Sequence, residues 1–263
     1  MLIFLKLGGS LITNKDIPFS ARKETLKRLG AEIARSIDMF PKLELLIGHG
    51  SGSFGHSAAA QFGTRAGIRS VEDWLGFQKV WLAAHQLNQI VINEFLDIGL
   101  PIISLPVSAS LVSKNSKVYK WNTYSIISSL ENHLLPIVFG DVVIDRELGA
   151  TIFSTEELFS YLVTILHPNR ILLAGKENGV YSDYPHNQDL IPLITPDSYP
   201  SISNKIDASA SIDVTGGMAS KVRNMLNLIT IEKNLTIDIF SGEGEDNLYK
   251  IISGENFGTR LSR

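Results

Sequence analysis

The residues with the clearest chemical character lie in a glycine-rich stretch, residues 47–56, that ends in His56. Four glycines fall within nine residues of it, namely Gly48, Gly50, Gly52 and Gly55. Glycines leave backbone N–H groups free to approach an anion closely. A phosphate cradle needs no imidazole, so His56 favours a site that handles a phosphate monoester. The stretch therefore predicts phosphate chemistry.

Two lysines accompany further glycine turns near the two ends of the chain. Lys6 lies in an apolar run just before Gly8-Gly9-Ser10, where an unpaired charge is costly to bury, so we interpret it as an anion contact. Lys221 follows Gly216-Gly217 by about one helical turn. Lys15, nine residues after Lys6, is a weaker candidate because loop lysines are common. Lysines that converge from both halves would neutralise charge during phosphoryl transfer.

Buried strands and intervening helices must position these turns. Short apolar runs predict strands at Leu2–Leu7, Leu43–Ile47, Ile102–Leu105, Pro136–Phe139, Arg170–Ala174, Thr236–Phe240 and Gly258–Leu261. Helices are predicted between them, at 20–38 with Ser20 as the N-cap, at 70–97, at 154–166, around Lys221 and at 245–252. This alternation indicates a parallel sheet covered by helices.

Two of the predicted helices carry residues with two open interpretations. Glu156 and Glu157 follow a capping residue, so they either complement the helix dipole or orient lysines or a metal ion. Phe77 and Trp81 lie four residues apart on one helix face, with Val80 beside them. Such an apolar stripe either packs in the core or walls an apolar substrate pocket.

Composition excludes several classes of protein. The 263 residues suffice for one large α/β domain or two lobes that share a sheet. The net charge of −3 gives no reason to expect nucleic acid or an anionic membrane as partner. The chain has no cysteine, which excludes disulfides and cysteine nucleophiles. We find no signal peptide and no apolar run of membrane-spanning length, so we expect a soluble, cytoplasmic protein.

The motifs together resemble the amino acid kinase superfamily and, within it, the isopentenyl phosphate kinases. The resemblance runs nearly end to end, and the tetrapeptide Ser53-Phe54-Gly55-His56 is its narrowest feature. The other motifs are Lys6–Ser10 with Ile12, Thr13 and Lys15, then Gly140–Val142, Gly179–Tyr181, Asp213–Gly217 with Lys221, and Gly258-Thr259. No GxxxxGK[ST] or GxGxxG motif is present.

This resemblance implies an α/β fold, an open three-layer αβα sandwich with a mainly parallel central sheet of about eight strands. It implies one domain, 1–263, in which residues 1–145 hold the phosphate acceptor and residues 146–263 hold the nucleotide. ATP and Mg²⁺ are the implied cofactors, with no residue assigned as a metal ligand. The implied partners are isopentenyl phosphate, ATP and a second copy of the chain in a homodimer.

The resemblance also implies roles for individual residues. Catalytic roles fall to Lys6, Lys15, His56 and Lys221. Acceptor binding falls to Gly8, Gly9, Ser10, Gly50, Ser51, Gly52, Gly55 and His56, with Phe77 and Val80 at the isoprenoid tail. Nucleotide binding falls to Lys6, Gly9, Glu156, Gly175, Gly179, Tyr181, Gly216, Gly217 and Lys221.

At two places the chain departs from the pattern of these kinases. Thr155-Glu156-Glu157 stands where they usually have Gly-Asp-Asp, and the turn at residues 174–178 lacks both of their usual aspartates. Two alternatives therefore stay open beside an isopentenyl phosphate kinase. One is a kinase of another small phosphate or phosphonate, such as fosfomycin, and the other is a catalytically silent nucleotide-binding regulator.

Overall fold

The fold is built on an eight-stranded, mostly parallel sheet, in a computed structural model that describes residues 1–55, 67–183, 186–207 and 217–263. Its strand order is β10-β12-β11-β9-β1-β2-β6-β3. The strands are β1 (Leu2–Leu7), β2 (Glu44–His49), β3 (Ile102–Ser104), β6 (Leu135–Phe139), β9 (Arg170–Gly175), β10 (Leu193–Ile194), β11 (Thr236–Ser241) and β12 (Thr259–Leu261). In the described part of this sheet, β11 and β12 form the only antiparallel pair.

Helices cover both faces of this sheet. They are α1 (Gly9–Ile12), α2 (Lys23–Met39), α3 (Val71–Asp97), α4 (Tyr124–Glu131), α5 (Thr155–Leu166), α6 (Tyr199–Asp207), α7 (Gly217–Ile231) and α8 (Asn247–Ser253). A 3₁₀ turn lies at Val107–Ala109. The predicted order of strands and helices is therefore confirmed through most of the described chain.

The hydrophobic core has two parts, one on each face of the sheet. Along β1 the side chains alternate, so Phe4 packs in one cluster while Leu5 and Leu7 pack in the other. Helices α2, α3 and α8 close the cluster around Leu5, and helices α4, α5 and α7 close the cluster around Phe4. This arrangement confirms the predicted three-layer sandwich.

A second, four-stranded sheet was missed by the sequence analysis. Its order is β5-β4-β7-β8, formed by β4 (Leu111–Lys114), β5 (Lys117–Trp121), β7 (Asp141–Asp145) and β8 (Gly149–Phe153). Asp145 organises it, because its carboxylate accepts hydrogen bonds from the backbone N–H groups of Asn115, Ser116, Glu147 and Leu148. These bonds hold the pKa of Asp145 well below its usual value although burial acts to raise it.

The helix ends follow the expected caps in two cases of three. Ser70 and Ser154 each form a capping box with the residue three positions later. The prediction for α2 is wrong, because Arg22 rather than Ser20 occupies the N-cap, with no side-chain cap bond. Ser20 instead accepts a hydrogen bond from the Asn14 amide at 2.8 Å.

Candidate active site

Two glycine turns meet at the carboxyl ends of β1 and β2, which pair in parallel at the centre of the sheet. A Cβ on Gly50 would lie 2.9 Å from the Gly9 nitrogen, and a Cβ on Gly9 would collide with Gly52. Gly52 also has a φ of +49°, which disfavours other residues. The two backbones therefore touch directly, with no side chain between them. Ser10 in α1, Ser51, and Gly55 in a helical turn at residues 52–55 flank this contact.

The Thr13 hydroxyl ties the two turns together. It donates to the Gly9 carbonyl at 2.7 Å and accepts the Ser53 N–H at 3.0 Å, and the side chain is fully buried. One hydroxyl thus fixes the first turn against the second. The sequence analysis treated Thr13 only as part of a motif, because a threonine in a turn shows no long-range partner by itself.

An ion pair joins Lys6 to Glu156, in the first turn of α5. The two side chains are only 11% and 20% exposed. Burial acts to raise the pKa of Glu156, but the charges of Lys6 and Lys221 lower it to about 2. Lys6 is therefore paired with an ionised carboxylate whose pKa is also lowered by the charge of Lys221, from the opposite end of the chain.

The two carboxylates that open α5 have different roles. Glu157 accepts the N–H of Ser154 at 2.6 Å and completes the capping box, whereas Glu156 points to the lysines. Thr155 between them donates its hydroxyl to the His49 carbonyl at 2.6 Å, which anchors the start of α5 to the end of β2. Of the two interpretations of the pair, helix capping thus describes Glu157 and lysine orientation describes Glu156.

His49, the last residue of β2, is a buried polar residue that the sequence analysis did not single out. Its Nε2 lies 3.2 Å from the side-chain Oδ1 of Asn88, and the Asn88 side-chain amide donates to the Ser104 hydroxyl at 2.8 Å. The ring stacks on Phe139, with centroids 5.2 Å apart. Burial lowers the pKa of His49, so the imidazole is neutral near pH 7 and the network supports the glycine turn that follows it.

A cavity of about 480 Å³ lies beside the aromatic part of α3. Its lining is Phe77, Gln78, Trp81, His85, Pro106, Ser108, Ala109 and Ile144. Val80 is 4% exposed and belongs to the core on the inner side of α3, so its contact with an acceptor stays a prediction. His85 hydrogen bonds to the buried Asp141 at 3.1 Å, and with Gln78 and Ser108 it gives this mainly apolar wall its polar groups.

Three of the predicted nucleotide residues, Gly175, Gly179 and Tyr181, lie at the end of β9 and in the turn that follows it. Gly175 ends β9, next to β1, and the Gly8 N–H donates to the Ala174 carbonyl at 2.8 Å. Gly179 lies against Thr259, whose hydroxyl accepts the Val180 N–H at 2.8 Å. Tyr181 follows and forms a single bridge to Leu190. This turn is thus anchored to the short closing strand.

Three predicted site residues are not brought into the cluster by the described structure. Lys15 is exposed in the turn after α1. His56 and Gly216 lie outside the described residues, together with the rest of the Asp213–Gly216 motif. Gly217 begins α7, the helix that carries Lys221.

Comparison with known proteins agrees with this geometry. Residues 1–241 match the profile of the amino acid kinase family. The chain belongs to the amino acid kinase family. Within the described residues, no helix combines the length and the apolar character needed to cross a membrane.

Among characterised members of the amino acid kinase family, isopentenyl phosphate kinases are similar to this chain over nearly its full length. The isopentenyl phosphate kinase of Methanocaldococcus jannaschii is 31% identical over 271 residues, which cover 99% of this chain and 98% of that protein. The one of Methanothermobacter thermautotrophicus is 31% identical over 269 residues, with 99% of each chain covered. The resemblance inferred from the motifs is confirmed.

A solved structure of this family gives the same result. An isopentenyl phosphate kinase crystal structure superposes with a TM-score of 0.82 at 30% identity, over 100% of both chains. The predicted fold class and the assignment as a kinase are therefore confirmed.

Proposed function

We propose that this kinase transfers the γ-phosphoryl group of ATP to isopentenyl phosphate and releases isopentenyl diphosphate and ADP. The observation that carries the proposal is the ion pair of Lys6 with Glu156, whose carboxylate also feels the charge of Lys221, together with the two touching glycine turns. The full-length similarity to isopentenyl phosphate kinases supports the choice of acceptor. The reaction forms a bond between an acceptor phosphate oxygen and the γ-phosphorus as the bond to ADP breaks.

The acceptor is proposed to bind in the half formed by residues 1–145. Backbone N–H groups of Gly9 and Gly52 would face its phosphate, with Ser10, Ser51 and Gly55 beside them, and His56 would donate a hydrogen bond to it. Gly8 and Gly50 would shape the two turns, because their N–H groups already donate to the Ala174 and Leu7 carbonyls. The sheet supports this division, because β1, β2, β6 and β3 lie on one side of its centre and the strands of residues 146–263 on the other. Phe77 and the neighbouring cavity would receive the five-carbon tail.

The nucleotide is proposed to bind in the half formed by residues 146–263. Gly175, Gly179 and Tyr181 would border it, with Gly216 and Gly217 at its phosphates. Lys6 and Lys221 would carry the positive charge that the transferred group needs, and Glu156 holds the Lys6 ammonium group through their ion pair. Lys15 would add a third charge from its exposed turn.

Mg²⁺ is proposed to arrive with ATP rather than in a protein cage. The described residues contain no cluster of three or more histidine, cysteine or acidic side chains that could hold a metal ion. Glu156 is already paired with Lys6, so its carboxylate fits lysine orientation better than metal binding. Bound to the nucleotide, Mg²⁺ would neutralise phosphate charge.

The other functions considered have less support. The relatives that are 31% identical over nearly the full length are isopentenyl phosphate kinases, which does not favour a fosfomycin-like kinase. The paired Lys6 and Glu156 retain the charge arrangement of a transfer site, which does not favour a silent regulator. We place the reaction in the cytoplasm because it consumes ATP. A homodimer is proposed because Val71, Leu75 and Leu82 are exposed along α3.

The proposed activity is tested by measuring ADP release with isopentenyl phosphate, dimethylallyl phosphate, geranyl phosphate, fosfomycin and glutamate as acceptors. We expect isopentenyl phosphate to give the highest kcat/KM. The His56→Ala variant should lose activity on the order of 10²-fold, comparable to the loss of one preorganised donor, while its circular dichroism stays unchanged. Preference for fosfomycin, or no ADP release with any acceptor, would reject the proposal.

A further inference from the structure

Arg22, at the start of α2, bridges two segments that lie far apart in the sequence. Its Nη1 donates to the Leu11 carbonyl at 2.8 Å and to Glu243 Oε1 at 2.6 Å. Its Nη2 donates to Glu243 Oε2 at 2.9 Å. The guanidinium and the carboxylate therefore form a two-pronged pair that fixes orientation as well as distance.

Both partners of Arg22, Leu11 and Glu243, belong to segments that are bonded to a turn of the candidate site. Leu11 belongs to α1, the short helix that begins at Gly9, and the Arg22 N–H also donates to the Ile12 carbonyl at 2.8 Å. On the other side, the Gly242 N–H donates to the Gly175 carbonyl at 2.8 Å. The loop that carries Glu243 is thus bonded to the end of β9.

The loop also packs closely on α1. A Cβ on Gly242 would lie 2.6 Å from the Leu11 Cδ2 atom, so a larger residue would have to displace the Leu11 side chain. The Ser241 hydroxyl donates to the Lys176 carbonyl at 2.9 Å, which binds the loop to the turn after β9 a second time. Backbone contacts, packing and the two-pronged pair of Arg22 with Glu243 therefore all connect the Glu243 loop to α1 and to the end of β9.

The charge pair itself is only partly buried. The side chains of Arg22 and Glu243 are 25% and 34% exposed, and the bond to Arg22 lowers the pKa of Glu243. Exposed pairs of this kind contribute little to overall stability. Stability alone therefore gives a weak reason for a bidentate pair at this junction.

We propose that Arg22 and Glu243 are a positioning pair that sets the separation between the Gly8-Gly9 turn and the Gly175 turn for phosphoryl transfer. This inference rests on the proposed assignment of these turns to acceptor and nucleotide. Phosphoryl transfer depends on placement, and a displacement of about 1 Å costs on the order of 10²-fold in rate. Without the Arg22–Glu243 pair, the two turns keep the direct bond from the Gly8 N–H to the Ala174 carbonyl, but α1 loses its link to the loop that carries Glu243.

The same helix and loop offer a matched control. Arg35, further along α2, pairs with Asp246 at 2.6 Å and lies over the Tyr249 ring. The side chains of Arg35 and Asp246 are 45% and 49% exposed, and neither has a bond to α1 or to the end of β9. Arg35→Ala therefore removes an arginine and a salt bridge between the same two segments without touching the site turns.

The experiment compares kcat, KM for both substrates and the melting temperature of wild type, Arg22→Ala, Glu243→Gln, the double variant and Arg35→Ala. We expect Arg22→Ala to lose kcat at least about tenfold with each KM within about threefold, because binding residues remain. The double variant should lose no more than Arg22→Ala alone, since both changes break one pair. Arg35→Ala should keep kcat within about twofold at a similar melting temperature.

Two results would overturn the positioning role. One is a kcat of Arg22→Ala within twofold of wild type, and the other is an equal loss in Arg35→Ala. Glu243→Gln keeps the side-chain shape and the bond from Arg22 to Leu11. If Arg22→Ala folds poorly, the kcat of Glu243→Gln therefore tests the positioning role in its place. The assay uses whichever acceptor wild type converts fastest, so a failure of isopentenyl phosphate as acceptor is separate from a failure of this inference.

Discussion

Lys6 at the end of β1 forms an ion pair with Glu156 in the first turn of α5, 150 residues further along the chain. The pair connects the central strand of the sheet to a helix of the opposite half. It holds an ammonium group at the place where the two glycine turns meet, because Lys6 directly precedes Leu7 and Gly8. Charge and backbone donors are therefore positioned by the same strand end.

Replacing Glu156 with glutamine should reduce kcat on the order of 10²-fold, because the lysines lose the charge that orients them. Each KM should change much less. The pKa of Glu156 is about 2, so its ionisation does not limit activity between pH 5 and 8. Steady-state kinetics across that range would test this. An unchanged kcat in Glu156→Gln would contradict the orienting role. So would a decrease in wild-type kcat toward pH 5 that is absent in Glu156→Gln.

Replacing Lys6 with alanine should lower kcat at least on the order of 10²-fold, since the charge nearest the turn is removed. The matched control is Lys27→Ala, because Lys27 is exposed on α2 and pairs with Glu24 at 3.3 Å. Single-turnover measurement of ADP release separates the chemical step from product release. If Lys6→Ala kept kcat within about threefold of Lys27→Ala, Lys6 would lie off the reaction path.

Replacing Thr13 with valine should destabilise the protein by about 1–3 kcal/mol, because it removes the acceptor of the buried Ser53 N–H. We also expect a higher KM for the acceptor, since the two glycine turns are no longer tied together. Urea unfolding and acceptor titrations measure the two effects. Thr13→Ser retains the hydroxyl and should behave like wild type, and equal losses in both variants would point to methyl packing instead.

Replacing Phe77 with alanine should admit longer prenyl phosphates such as geranyl phosphate and raise the KM for isopentenyl phosphate, because this side chain lines the cavity. The KM for ATP should stay nearly unchanged. Val80→Ala is the comparison, with an expected loss of about 2 kcal/mol of stability because Val80 is buried in the core. If Phe77→Ala had the same preference among prenyl phosphates of different length as wild type, Phe77 would not form part of the pocket wall.

Acidification should destabilise the fold through His49. Because burial lowers its pKa in the folded state, the unfolded chain takes up the proton first as the pH falls below about 6.5. The free energy of unfolding should therefore decrease between pH 6.5 and pH 5. His49→Gln should show a smaller decrease in urea titrations over the same interval, and an identical pH dependence in both proteins would assign the effect to other groups.

The sequence was sufficient to predict the parts of the fold that depend on local patterns. Apolar runs marked the parallel strands, and the capping boxes at Ser70 and Ser154 marked two helix starts. The four-stranded sheet was not predicted because its strands are only four or five residues long and lack a clear common pattern. Lys117–Trp121 carries two lysines in five residues, and the turn that joins it to its neighbour is held by the carboxylate of Asp145.

The candidate site was likewise predictable only in part. The glycine turns and Lys6 could be recognised because these residue types are unusual next to a buried strand. The partner of Lys6 could not be chosen between Glu156 and Glu157, since both open the same helix and only the tertiary arrangement turns one of them inward. Arg22 could not be recognised from the sequence, because its partners Leu11 and Glu243 come together only in the folded chain.

The cavity beside α3 and the glycine turns are built from different pieces of the molecule. The turns follow β1 and β2, whereas the cavity wall comes from α3, the segment around Ser108, and Ile144 of the second sheet. A mutational library restricted to Phe77, Gln78, Trp81 and Ile144 would therefore retarget the enzyme toward acceptors of other lengths without rebuilding the machinery that moves the phosphoryl group.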